Sequence, residues 1–296
     1  MGCSPDAGSP GRSHTRRMSE IRVNGVSLYY EEHGAGEPIV GIHGSLSSAA
    51  FWSDAAQELA RHGRTIVYDR RGCSRSERPE PYATNVHQQA DDVAALIDAL
   101  AAAPAIVIGR SYGGAIALDL ALRYPDRVRA LVQLEGDGGL SLSQAAMREV
   151  AQLTDQVFAA AEVDMSTVAE TVVRGVVGDG AWEEFSAPVK QMFSANAPAI
   201  VAELRGGYPD VTAEQLSTIG QPTLLVAAKD SLFDYSEVTN LMAAAMPSAR
   251  IEWVEGGHLI DHAHAAVLAF VGDVLARTAA PVGERADHSP APLTTA

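Results

Sequence analysis

The chain has 296 residues, 47% of them hydrophobic, which fits one large α/β domain or a domain carrying an insertion, with a sizeable core. Its formal charge of −15 argues against nucleic acid and anionic membrane surfaces as partners. Two cysteines, Cys3 and Cys73, argue against a disulfide framework and fit a reducing cytoplasm, and no run approaches the roughly 18 apolar residues of a membrane span.

Residues 1–18 are rich in Gly, Ser, Pro and Arg, without the apolar centre of a secretory signal, and read as a disordered extension with Met18 a candidate start. Residues 20–24 and 26–31 alternate apolar and polar around Asn24-Gly25, a hairpin signal. Residues 38–42 read as a buried strand running into His43-Gly44, 49–61 as a helix, and 65–68 as a strand ending in Asp69-Arg70-Arg71-Gly72. The helix expected over 85–101 carries Val86, Ala90, Val93, Ile97 and Leu100 on one face. An apolar run at 105–109 ends in Gly109-Arg110-Ser111-Tyr112-Gly113-Gly114 and passes into an Ala/Leu-rich helix. Residues 128–134 form a further strand, closed by Glu135. This alternation predicts a mostly parallel sheet of eight strands covered by helices on both faces. Ligands in such sheets sit at the carboxyl ends of the strands, where the loops at His43, Asp69, Ser111 and Glu135 converge.

From about residue 136 the alternation stops. Four helical runs follow, near 143–161, 166–177, 181–196 and 199–204, with Pro188 expected to kink or split the third. They predict a helical cap over 137–220, inserted between core segments 19–136 and 221–277. Strands resume at 223–228 and 250–254, with a helix at 236–246 between them and a last helix at 262–275. Residues 278–296 resemble the amino-terminal extension and read as a disordered tail.

Strand, Gly-x-Ser-x-Gly turn and helix are the context of a nucleophile elbow, whose glycines stand where a Cβ would meet neighbouring backbone. A serine hydroxyl needs a base, and the base an orienting acid. His258 follows the 250–254 strand through Gly256-Gly257, and Asp230 follows the 223–228 strand, giving the chain order Ser111, Asp230, His258 expected of this architecture. Glu135 is the alternative acid, and Asp234 a weaker rival; His262 and His264 fall in the expected last helix. The oxyanion donors expected are the N–H of Tyr112 and, after Gly44, that of Ser45.

His43-Gly44, Asp69-Arg70-Arg71-Gly72, Gly109 to Gly114, Asp230 and Gly256-Gly257-His258 stand in the order found in serine hydrolases of the α/β-hydrolase fold, which the chain resembles over roughly residues 20–276. Two departures stand out. Ala227 replaces the glycine of the usual Gly-x-x-Asp acid pattern, which keeps Glu135 open as the acid. Leu46 stands where cofactor-independent haloperoxidases commonly carry proline. Ser111 argues against the dehalogenases and epoxide hydrolases of the fold, which use aspartate, and residues 45–48 do not match the oxyanion loop of its carbon–carbon bond hydrolases. The resemblance implies no catalytic role for Asp69, Arg70, Arg71 or Cys73, and leaves His43 structural.

The expectation is a cytoplasmic serine hydrolase, without cofactor or metal, cleaving a carboxylic ester or a related lactone or thioester of a small, mainly apolar molecule through an acyl-enzyme. The rate is expected to fall as His258 protonates, at about pH 6 to 7. The alternatives are peracid-forming haloperoxidase chemistry and a low-turnover ligand receptor on the same scaffold. No nucleic-acid or membrane partner is expected, and a homo-oligomer is open. Met147, Phe158, Met165, Trp182, Phe185, Met192 and Phe193 are the cap side chains available to roof the site.

Overall fold

The computed structural model describes residues 16–233 and 235–279. The extension before residue 16, the tail after 279 and the rival acid Asp234 lie outside the described residues.

Eight strands form one sheet in the order β1-β2-β4-β3-β5-β6-β7-β8. β1 (Arg16–Val23) and β2 (Val26–His33) are the hairpin around Asn24-Gly25, both in the left-handed region. Arg16 to Met18 already pair with β2, so the strand starts inside the segment expected to be disordered. β2 is antiparallel to β4 (Arg64–Tyr68), and from there β3 (Pro38–Ile42), β5 (Ala105–Arg110), β6 (Val128–Leu134), β7 (Thr223–Ala228) and β8 (Ala249–Val254) run parallel. The parallel strands are apolar runs because both faces of the sheet are covered. Alternate side chains divide between two cores. Val40, Ile42, Val107 and Leu131 pack under α2 (Val86–Ala99) and α3 (Tyr112–Arg123). Ile39, Ile106, Ile108 and Val132 pack with α1 (Ser53–Leu59) and the last helix of the chain.

The insertion is helical: α4 (Gln144–Val163), α5 (Val168–Val176), α6 (Asp179–Glu184), α7 (Ala187–Ala195), α8 (Ala197–Gly206) and α9 (Ala213–Ser217). Pro188 splits the expected third helix, standing in the first turn of α7 where its missing N–H goes unused. Its own apolar cluster, with Val157, Val172, Phe193 and Ile200, closes onto Leu46 of the core. α10 (Tyr235–Ala245) and α11 (Ala265–Ala279) complete the core. α11 begins after His262 and His264, which therefore lie in the preceding turn and not in the helix expected there. The segment 49–52 is a 3-10 turn before α1, closed by the Ser48 hydroxyl. Among the described residues no helix is long and apolar enough to cross a membrane.

Candidate active site

β3, β5, β6 and β7 lie side by side and parallel, so His43, Ser111, Glu135 and Lys229 emerge along one rim. Ser111, between β5 and α3, has φ 51° and ψ −127°, a conformation that costs a side-chain-bearing residue energy and persists only under surrounding constraint. That constraint is close packing. A Cβ on Gly109 would stand 2.4 Å from the Gly113 carbonyl oxygen, and one on Gly113 would stand 2.3 Å from that of Ile42. The Ser111 carbonyl accepts from the N–H of Gly114 at 2.7 Å and of Asp137 at 3.0 Å.

Gly44 lets the loop after β3 reach this turn, since a Cβ there would lie 3.1 Å from that of Ser111. Tyr112 is the first residue of α3, so its N–H has no intrahelical acceptor. Ser45, next to Gly44 on the loop after β3, lines the site cavity together with Ser111. Leu46 has φ 61°, a value the proline ring forbids, so the proline absent here could not be accommodated by this backbone.

His258 is 5% exposed, and its Nδ1 lies 2.8 Å from Oε2 of Glu135. The Glu135 carboxylate is itself fixed: Oε1 accepts from the Ala228 N–H at 2.8 Å, and the Ser231 hydroxyl reaches both oxygens. Burial, chiefly, pulls the His258 pKa below its ordinary value; the hydrogen bond to Glu135 opposes the shift, and the Arg110 charge adds to it. The contact expected of Asp230 is thus made by Glu135. Asp230 is exposed, held through its backbone N–H to the Gly256 carbonyl at 3.0 Å, two residues beyond the end of β7 where the chain has turned to solvent. Arg110 is buried and donates Nη2 to the His258 carbonyl at 2.8 Å, tying the histidine loop to the elbow strand.

A network missed by sequence reasoning holds the Ser45 loop. The Ser45 hydroxyl donates to Glu203 of α8 at 2.6 Å. Glu203 also pairs with Arg70 at 2.6 Å, and both side chains are 1% exposed. Arg70 in turn donates to the Gly44 carbonyl at 3.0 Å. His43 Nε2 accepts the Arg70 N–H, which leaves its proton on Nδ1 for the Gly44 carbonyl at 2.8 Å, a neutral tautomer. Burial, then the Arg70 charge, hold the His43 pKa well below the usual value. Asn196, buried between α7 and α8, donates to the carbonyls of Leu46 and Ser47, both at 2.9 Å. Glu203 gives no signal in the sequence, because one acid in a helix reads as a solvated face.

The cavity over Ser111 and His258 is roofed by cap side chains, among them Leu153, Val173, Phe185 and Phe193. Of the cap residues named from the sequence, Phe185 and Phe193 line it, whereas Met147 and Met165 are exposed. One corner is polar. Tyr235 and Tyr208 donate their phenols to the two oxygens of Asp137, at 2.9 and 3.0 Å. The Tyr235 ring stacks on that of His258, centroids 5.0 Å apart. Burial, then the charges of Asp137 and Glu135, push the Tyr235 phenol well up, while the neighbouring Ser111 hydroxyl works the other way. Among the described residues no hydrogen bond joins Ser111 to His258, and no group of His, Cys, Asp and Glu is arranged to hold a metal ion. Asp137 was detectable in principle, as the second acid at the end of β6.

A family model described as the alpha/beta hydrolase fold matches residues 37–262. The chain belongs to the α/β-hydrolase fold family. Among relatives in this family, "Putative carbamate hydrolase RutD" of Azorhizobium caulinodans is 31% identical over 247 residues, 82% of this chain and 90% of that one. A 2-hydroxymuconate semialdehyde hydrolase of a Pseudomonas species is 40% identical over 125 residues, which is 41% of this chain and 44% of that one. Among solved structures, Est816, titled an N-acyl homoserine lactone degrading enzyme, superposes with a TM-score of 0.68 at 26% identity, covering 88% of this chain and 99% of its own. An esterase of Thermogutta terrifontis gives 0.72 at 22% identity over 88% of this chain and 98% of that one, a likeness of fold. The protein is therefore a hydrolase of the α/β fold.

Proposed function

We propose that this hydrolase cleaves a carboxylic ester or lactone with a small, mainly apolar acyl group, using Ser111, His258 and Glu135. The observation that carries the reading is the buried imidazole of His258, anchored by Glu135 on one side and opening on the other into the cavity that holds the strained Ser111. Ser111 turns from the Tyr235 side toward Nε2 of His258 as substrate seats, since catalytic hydrogen bonds tighten in the Michaelis complex. Its oxygen attacks the carbonyl carbon and its proton passes to Nε2. The amides of Tyr112 and Ser45 receive the oxyanion. His258 returns the proton to the leaving alkoxide, the C–O bond breaks, and an acyl-serine remains. Water, deprotonated by His258, releases the acid and restores Ser111. Glu135 keeps the imidazole in the tautomer that leaves Nε2 free and stabilises the cation that forms.

Peracid chemistry is less well supported, because a left-handed Leu46 excludes the proline that marks the relatives that perform it. A reducing cytoplasm suits the buried free thiol of Cys73, and the acidic charge favours a small-molecule substrate over nucleic acid or an anionic membrane. The test is a fluorophosphonate probe together with p-nitrophenyl esters of graded length. Labelling at Ser111, and turnover abolished in Ser111→Ala, is the expected result. Absent labelling with no turnover would leave a ligand receptor in its place.

A further inference from the structure

The charged side chains around the cavity pair unevenly. Arg70 is paired with Glu203. The Arg110 guanidinium lies in the field of Glu135 and Asp137 and makes an ion pair with neither. Glu135 is committed to His258. Asp137 is 5% exposed and, among the described residues, has no cationic partner. Burial pushes its carboxyl up to about 7 against the pull of the two phenol hydrogen bonds.

The two tyrosines define what this corner offers a ligand. Each phenol proton is given to Asp137, so each phenol oxygen has only lone pairs left for a further partner, and that of Tyr235 is met by the Ser111 hydroxyl until Ser111 turns to His258. A carboxylate accepts about four hydrogen bonds, and Asp137 receives two from these side chains. Above about pH 7, where Asp137 is ionised, the corner therefore presents acceptors and no committed donor. An anionic group is repelled there, and an alkyl group would leave the carboxylate dry and unpaired, which is costly. The corner sits against the reacting atoms: the Asp137 N–H holds the Ser111 carbonyl at 3.0 Å, and Tyr235 stacks on His258. The rest of the lining, including Leu140, Val150, Leu153 and Phe193, is apolar.

We propose that Asp137, Tyr208 and Tyr235 form a subsite for a neutral hydrogen-bond donor, a hydroxyl or an amide N–H, borne on the carbon next to the scissile carbonyl of an otherwise apolar substrate. This rests on the ester-cleaving reading and narrows its substrate class.

The test compares ethyl 2-hydroxyhexanoate with ethyl 2-methoxyhexanoate, which keeps the oxygen and loses the donor, and ethyl 2-acetamidohexanoate with its N-methyl analogue. Ethyl hexanoate is the reference, and acid release is followed by titration. The wild type is expected to favour the donor of at least one pair by about tenfold or more in kcat/KM. The pair that shows the preference identifies hydroxyl or amide. In Asp137→Asn, which keeps the shape and supplies amide donors, that ratio should fall toward one or invert. Tyr235→Phe serves if the first variant does not fold. A wild-type ratio near one for both pairs, or a ratio unchanged by the substitutions, overturns the subsite. Calorimetric binding of the same pairs to Ser111→Ala reads the preference without turnover. If none of the esters is cleaved, the hydrolytic reading falls; equal affinities within both pairs overturn the subsite alone.

Discussion

Glu135 differs from every other acid at the sheet rim in where its oxygens are held. Its backbone is left-handed at φ 42°, its N–H is bonded to the Val226 carbonyl, and its carboxylate meets the Ala228 amide, the Ser231 hydroxyl and His258. A carboxylate so fixed sets the imidazole tautomer, and losing that function in comparable triads costs about 10⁴-fold in kcat. Glu135→Gln is accordingly expected to lower kcat by about 10³- to 10⁴-fold, while Asp230→Asn, at an exposed position, stays near wild type. The pH profile separates this from a folding defect. Burial holds the His258 pKa below 6.5, so the wild-type acid limb falls below that value rather than at pH 6 to 7. Glu135 opposes that depression, so its neutralisation moves the limb further down. Kinetics of both variants from pH 5 to 8 check it: a full loss in Asp230→Asn, or an acid limb that rises in Glu135→Gln, contradicts the assignment.

At the scale of elements, the helical insertion and the loop after β3 are one mechanical unit. Glu203 of α8 and Asn196 at its start grip residues 44–47 from above, and Arg70 grips them from below. Glu203→Ala would leave Arg70 buried and unpaired, a change that typically costs about 3 to 5 kcal/mol, and would free the Ser45 side chain. Because Ser45 is proposed to serve the oxyanion, kcat should fall by about 10- to 100-fold with KM little changed, and Glu203→Gln should recover part of it. Steady-state kinetics beside thermal unfolding decide: a rise in KM alone would show that Glu203 only shapes the cavity. The same elements show what a sequence can carry. The central strands were legible because a strand buried on both faces is an unbroken apolar run, and the break at Pro188 because proline has no N–H to give. Which acid meets His258 was not settled by chain order. β6 and β7 are neighbours, so acids after either reach the same rim, and the choice was made by which backbone turned inward. Asp230 turns out; Glu135, with Ser231 and Ala228 as donors, turns in. Tyr208, inside the insertion, and Tyr235, beyond β7, converge on Asp137 only in three dimensions.

For the whole molecule, burying so many titratable groups around one rim makes stability depend on pH in a definite direction. His43, His258 and His262 are 1%, 5% and 8% exposed, and burial is the largest cause holding each below its ordinary pKa. Unfolded, each titrates near 6.5. Between that value and the lower folded one, the unfolded chain carries protons that the folded chain does not. The contribution of the three is therefore complete above about pH 6.5 and is lost as the pH falls below it. Asp137 acts in the opposite sense. Its folded pKa, about 7, lies above its ordinary 3.8, so across that interval the folded state holds the extra proton. Three buried histidines outnumber this carboxyl, so the unfolded chain takes up the more protons as the pH falls. Stability should accordingly fall from pH 7 to pH 5. Asp137→Asn should steepen the decline just below pH 7, because a group that opposes it there is gone. Urea unfolding at fixed temperature across this range measures both; a midpoint that is flat or rises toward pH 5 would mean the histidines are not held neutral in the folded protein.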